Sequence, residues 1–312
     1  MENSKIQWCD HSWNPWHGCL KVSPGCQHCY AETIDKRWGK DVWGPGSKRE
    51  RTSPANWAKP LQWQKKAQRE NLRYKVFCAS MADVFEDNEQ VLHWRFDLFR
   101  LILATPNLDW QLLTKRPENV MKFIPTNWKS LEGWPKNVWI GTSVENQKYA
   151  DERIPELLKI PARVRFLSVE PLLEPVDLYW CDWCGRFGDH DCEGGYTWAK
   201  TIKEDQAGID WVIIGGESGY DARAFDLAWA NDIILQCKAA RVPVFMKQIG
   251  SNPVSSIDLG QFTTMDKKGG NPDEWPESLR VREFPEVTIP VVPLRGPARL
   301  VTSQPIIQER LL

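Results

Sequence analysis

Six short apolar runs punctuate the chain: KVFCAS (75–80), WQLLTK (110–115), NVWIGTSVEN (137–146), RVRFLSVEP (163–171), DWVIIGGES (210–218) and VPVFMKQ (242–248). They are rich in Val, Ile, Leu and Phe and nearly continuous rather than alternating, the pattern of strands buried on both faces of a parallel sheet. Between them, apolar residues recur at helical spacing over 88–104, 117–124, 146–160 and 226–240. Successive runs are spaced by roughly 30 residues, the length of a strand, a helix and two loops. This alternation predicts a parallel α/β sheet. With a further strand at 6–9, the expected fold is an incomplete or open (β/α) barrel of about six to seven parallel strands, and a small doubly wound sheet is the structural alternative. The gap before Asp210 is longer than the others and contains CDWCGRFGDHDC (181–192), so a metal-binding insertion is expected over 177–205. The barrel is expected over 1–250. Residues 251–312, with GSNPVSS, MDKKGGNPDEWP and a Pro-rich end, read as a C-terminal extension packed on it, poor in regular elements.

Polar residues collect where each run stops: Ser80 and Asp83; Thr114, Lys115 and Arg116; Ser143, Glu145 and Asn146; Ser168 and Glu170; Glu217 and Ser218; Lys247 and Gln248. The carboxyl ends of a parallel barrel share one face, where active sites form. An enzyme is therefore expected, with Glu145, Glu170 and Lys247 as candidate catalytic groups. Ser143, Asn146, Gly215, Gly216 and Glu217 are candidate cofactor-binding groups, because paired glycines let a ligand approach the backbone closely and Glu217 can pair with an ammonium.

Composition narrows the class. Of 312 residues, 26% are charged and 42% apolar, ordinary globular values that exclude disordered and fibrous chains. Forty Lys and Arg against 41 Asp and Glu leave a formal charge of −1, so nothing global draws the chain to nucleic acid or a membrane. The longest apolar stretches, such as 98–104, fall short of the ~20 residues of a membrane span. No basic start leads into an apolar segment as in a secretory signal, so a reducing, cytoplasmic setting is expected. In that setting nine cysteines read as metal ligands or buried thiols rather than disulfides.

Cys19, Cys26 and Cys29 follow the first expected strand with six and two residues between them, around a Pro24-Gly25 turn. Three thiolates are one short of closing a zinc site or a cubane cluster. Cys9, His17 or His28 can supply a fourth zinc ligand; in an iron–sulfur cluster the missing ligand leaves one iron open to a small molecule. The spacing leaves both open. Cys181, Cys184, His190 and Cys192 present three thiolates and an imidazole within the insertion, a set whose first reading is a closed structural zinc site and whose second is an auxiliary cluster. Cys78 and Cys237 read as buried cysteines. Seven of the 18 Trp lie in the first 63 residues, to wall a cluster from water or to stack on bases. Lys48, Arg49, Arg51, Lys115 and Arg116 are candidate phosphate contacts.

The segments WNPWHGC, SPGCQHCYAE, FCASMADVF, LLTKRP, NVWIGTSVENQ, RIPELL, VRFLSVEPLL, DWVIIGGESG, VPVFMKQIG and DEWPESLRVREFP resemble the phage-associated three-cysteine-motif proteins, a family of unknown function similar to the spore-photoproduct-lyase branch of the radical S-adenosylmethionine (SAM) enzymes. The resemblance runs from about Ile6 to Pro285. It implies a 4Fe-4S cluster held by Cys19, Cys26 and Cys29, with SAM on the open iron. An external electron donor, a 5'-deoxyadenosyl radical and hydrogen abstraction from a substrate, by analogy nucleic acid, follow from it. His28 stands where such enzymes carry an aromatic side chain near the adenine. Two features depart from the wider pattern: six residues rather than three separate the first two cysteines, and Gly215-Gly216-Glu217 follows a late strand instead of the second. Two other classes stay open: a non-catalytic zinc or cluster protein that binds nucleic acid through a continuous basic surface, and a metal-dependent hydrolase or transferase.

Overall fold

The computed structural model describes residues 2–181, 196–198, 208–256, 260–287 and 289–293. One sheet contains seven strands: β1 (His11–Trp13), β2 (Tyr74–Cys78), β3 (Leu108–Thr114), β4 (Val138–Ser143), β5 (Val164–Val169), β6 (Trp211–Gly215) and β7 (Val244–Gln248). All adjacent pairs are parallel and the spatial order follows chain order. The sheet curls into a half-barrel, an open (β/α) barrel. A doubly wound sheet needs a point where the strand order reverses, and this sheet has none. The helices are α1 (Tyr30–Arg37), α2 (Pro54–Glu70), α3 (Leu92–Ala104), α4 (Val120–Phe123), α5 (Gln147–Leu158) and α6 (Leu227–Ala239).

The amino-terminal part differs from expectation in the place of one strand and in one helix that was not foreseen. The first strand lies at 11–13, not 6–9: Trp8 and Cys9 are buried by packing, but the hydrogen-bonded register with β2 starts only where His11 meets Val76. The unforeseen helix is α2, the longest among the described residues, which the apolar pattern did not disclose because PANWAKPLQWQKKAQRE is mostly polar and carries Pro60. Its ends are well specified: the Ser53 hydroxyl accepts from Asn56 N at the N-cap, Pro54 takes the first turn, and Asn71 closes the helix in the left-handed region at φ 52°. Pro60 has no N–H to give the carbonyl of Asn56, and the buried indole Nε1 of Trp13 donates to that carbonyl instead at 2.9 Å. A helix that looks broken in sequence is thus completed from β1.

Strand pleating sorts side chains onto two faces. The outer set, including Val76, Leu112, Ile140, Leu167, Ile214 and Met246, joins the helices in the main core. The inner set forms a separate cluster of Trp8, Phe77, Trp139, Phe166, Trp211, Ile213 and Phe245. Its rings meet edge to face or tilted, with Trp8 to Phe77 at 4.6 Å and Trp139 to Trp211 at 6.1 Å and 89°. Gly141 is required here, since a Cβ would fall 2.4 Å from the Phe166 ring. Toward the carboxyl ends the same face turns to Ser143, Ser168, Gly215 and Lys247. The half-barrel therefore has an aromatic floor and a polar mouth.

Beyond β7 the chain covers the free edge of the sheet. Met246 N donates to Val281 O and Glu283 N to Val244 O, both at 2.9 Å, and Trp275 and Leu279 enter the main core. Regular structure occurs here despite the expectation: Pro253–Ser255 and Gly260–Gln261 form a small sheet with Phe225–Asp226. The insertion leaves and re-enters through an antiparallel ribbon of Tyr179–Cys181 and Tyr196–Trp198. Cys184, His190 and Cys192 lie outside the described residues.

Candidate active site at the carboxyl mouth

The loop from β1 to α1 carries Cys19, Cys26 and Cys29 and is tied to the ends of four other strands. At its start Gly18 adopts φ 102° and comes so close to Val42 that a Cβ would lie 2.1 Å from that carbonyl. Past β3, Arg116 Nη1 donates to Cys19 Sγ at 3.6 Å and Nη2 to Leu20 O at 2.7 Å, while Asp83 beyond β2 accepts from Nη1 at 2.8 Å. Past β4, Glu145 Oε1 accepts from Ser23 Oγ at 2.8 Å, and Gly25 lies directly over the carboxylate, where a Cβ would be 2.5 Å from Oε1. Past β6, Glu217 pairs with Arg223 at 2.7 Å and with His28 Nδ1 at 3.0 Å, and Arg223 Nη1 donates to Pro24 O at 2.9 Å. Tyr30 OH donates to Ser80 O at 3.0 Å.

Electrostatics follow from these pairings. Burial acts to raise the Glu145 carboxyl, but Lys115 at 2.7 Å, Arg153 at 2.9 Å and the Ser23 hydroxyl outweigh it and hold the group below the usual carboxylate range. Glu217 is likewise held low, with Arg223 and His28 overcoming burial. Burial and the neighbouring Asp83 push the Cys19 thiol up to about 12 against the pull of Arg116. Burial also raises Cys29, opposed by the backbone N–H groups of Glu32 and Ala31.

The candidate residues fall into three groups. Glu170 and Lys247 meet across the mouth at 2.7 Å, and Gly215 between them makes room, since a Cβ would lie 2.5 Å from Glu170 Oε1. Glu145, His28 and Glu217 bind the cysteine loop to the barrel. Ser143 is buried and its carbonyl accepts from Arg153, Asn146 caps α5 through Tyr149 N, and Gly216 packs against the Ile249 carbonyl. Ser23, Tyr30, Arg153 and Arg223 complete the site and were not expected. Ser23 and Tyr30 lie within the cysteine motif and Arg153 lies two helical turns beyond Glu145, so of the four only Arg223 had no positional signal.

Three of the expected phosphate contacts are turned inward. Arg49 pairs with Glu86 at 2.6 Å with both buried, Arg116 pairs with Asp83, and Lys115 pairs with Glu145. A guanidinium removed from water needs such a partner, and the partner takes the charge that a phosphate would use. The early tryptophans are likewise mostly structural: Trp8, Trp13, Trp16 and Trp63 are core residues, whereas Trp38 is 66% exposed.

Cys19, Cys26 and Cys29 are free and half-buried, unlike the buried Cys9, Cys78 and Cys237. Among the described residues no three His, Cys, Asp or Glu side chains converge on a single-ion site. In a 4Fe-4S cluster each thiolate binds its own iron, so three free thiols on one loop meet the need without converging on one atom. The residues present fit such a cluster in kind and number.

Residues 3–277 match the family model described as Protein of unknown function (DUF5131). The chain belongs to that family. Among curated proteins none matches it. Among solved structures it is similar to spore photoproduct lyase with a cysteine-to-serine substitution, at 16% identity and TM-score 0.40, over 55% of this chain and 48% of that one. A doubly substituted form of that lyase with bound AdoMet and dinucleoside spore photoproduct aligns at 15% identity and TM-score 0.39, with the same coverage. The chain thus spans about half the length of these structures.

Proposed function

We propose that this family member is an iron–sulfur, radical-SAM-like enzyme whose cluster is held by Cys19, Cys26 and Cys29. The observation that carries the reading is the loop itself: three free thiols laid over the polar mouth of an open barrel and anchored to the ends of four strands. The motif resemblance in the sequence supports it independently. A cluster held by Cys19, Cys26 and Cys29 would supply the one electron needed for reductive cleavage of SAM and, through it, hydrogen abstraction from a substrate.

The protein's own groups have separable tasks in this reading. Asp83 with Arg116, and Lys115 and Arg153 with Glu145, hold the loop rigid from below. Glu217, fixed by Arg223 and His28, closes its far side. Glu170 and Lys247 face the interior next to Gly215 and are the polar groups offered to a bound molecule. A nucleic-acid binding module would instead need a continuous basic surface, and the inward pairing of Arg49, Lys115 and Arg116 favours the enzyme. Cys181, Cys184, His190 and Cys192 are proposed, on their spacing, as a structural zinc site in the insertion.

The test is anaerobic reconstitution followed by iron and sulfide analysis, then addition of dithionite and SAM with and without oligonucleotide. About four irons per chain, lost in Cys26→Ala, with release of 5'-deoxyadenosine is the expected result. Zinc alone at the three-cysteine loop, with no iron after reconstitution, refutes the reading.

A further inference from the structure

The three thiols do not share one electrostatic environment. Cys26 Sγ lies 3.7 Å from the Ser23 hydroxyl, but that O–H is already donated to Glu145, so it offers the sulfur no proton. Cys29 faces neutral backbone N–H groups at the start of α1. Cys19 receives an N–H from a guanidinium, at 3.6 Å.

That guanidinium is held from several sides. Arg116 is 7% exposed and also donates to Leu20 O and to Asp83. Asp83 is itself buried and fixed by Thr114 Oγ1 at 2.7 Å, Phe85 N at 2.9 Å and Lys115 N at 3.1 Å. A permanent cation is thus set beside one thiol, and the same Nη1 that reaches the sulfur also meets its counter-charge on Asp83. At a partly buried site such charges are weakly screened by solvent and salt.

We propose that Arg116 raises the reduction potential of the cluster by its charge-assisted hydrogen bond to the Cys19 thiolate, and that Asp83 limits the rise by partly neutralising Arg116. The inference rests on the cluster reading of Cys19, Cys26 and Cys29. Its physical basis is that reduction adds negative charge to the cluster, which a fixed cation and N–H donor at a ligating sulfur stabilise more in the reduced state than in the oxidised one. The carboxylate of Asp83 acts with the opposite sign. Arg116 is in this sense a tuning residue, and the Asp83–Arg116 pair is a potential-setting device with two terms that can be removed separately.

The experiment uses the full chain, reconstituted anaerobically, with iron and sulfide content measured first and the midpoint potential read from an EPR-monitored redox titration. Arg116→Gln shifts the midpoint to more negative values, and Arg116→Lys, which keeps the charge, shifts it less. Asp83→Asn shifts it to more positive values. Lys159→Gln, which removes an equal charge from a surface pair with Glu156 at the far end of α5, leaves it in place. Midpoints that stay put, or that move in the same direction in Arg116→Gln and Asp83→Asn at full iron content, overturn the inference while the cluster reading stands. Absence of iron from the wild-type chain overturns both. Should Arg116→Gln fail to hold iron, Asp83→Asn decides: a positive shift supports the inference, and no shift or a negative one overturns it.

Discussion

Glu145→Gln probes the junction on which the cysteine loop rests. The carboxylate is fully buried and carries three contacts, from Lys115 Nζ at 2.7 Å, Arg153 Nη1 at 2.9 Å and Ser23 Oγ at 2.8 Å. Glutamine keeps the volume and an acceptor but removes the charge. Lys115 is 20% exposed and can turn to solvent, whereas Arg153 at 5% cannot and is left as an uncompensated buried cation. Removing one partner of a buried pair costs about 3–5 kcal/mol, and the isosteric replacement favours the lower end. In a domain of this size roughly 3 kcal/mol corresponds to a fall in Tm of about 6–12 °C. The pH dependence gives a second readout. Because the folded carboxyl is held below its ordinary value, the unfolded chain binds its proton first as pH falls, so the contribution of Glu145 is complete above the ordinary carboxylate range and is lost as pH drops through the folded value. Thermal unfolding of the wild type and Glu145→Gln from pH 7 to pH 3 is thus expected to show a Tm gap that narrows with acidification. An unchanged Tm at pH 7, or a gap independent of pH, refutes the reasoning.

Trp13→Phe leaves the Asn56 carbonyl without its donor and costs about 1–3 kcal/mol in denaturant unfolding; in a Pro60→Ala background the loss is smaller, because residue 60 then has an N–H for that carbonyl. His11 is buried against Trp63 at 4.3 Å, and burial lowers its imidazole below the usual value against the pull of Asp10 and Glu2. Below about pH 6.5 the unfolded chain takes up the proton first, so wild-type stability falls there with a component absent from His11→Phe, readable by urea denaturation across pH. Gly25→Ala drives a Cβ into a carboxylate held on three sides, so iron bound after reconstitution falls while far-UV circular dichroism is retained.

The legible parts of the molecule are those in which a local pattern reports a local cause. The nearly continuous apolar runs located β2 to β7, because a strand covered on both faces needs apolar residues at every position. The polar residues at their ends located the mouth, because parallel strands all end on one face. What stayed hidden depended on distant partners. The helix α2 reads as polar and interrupted until Trp13 supplies the missing donor for Asn56. Arg49 and Arg116 read as surface cations until Glu86 and Asp83 are seen beside them, and Arg223 gives no sign in sequence that it reaches both Glu217 and Pro24.

The amino-acid sequence by itself determined the strand-and-helix alternation, the carboxyl-end location of the polar residues and the spacing of three thiols on one loop, since these follow from side-chain periodicity and chain connectivity. The tertiary structure decided how the charges are used. Pairing energy depends on distance and burial in three dimensions, and the sheet's curl brings the ends of β2, β3, β4 and β6 beneath a loop that lies far from them along the chain. That closure makes Glu145 an anchor rather than an open acid and sets Arg116 against Cys19, two roles that no spacing along the chain encodes.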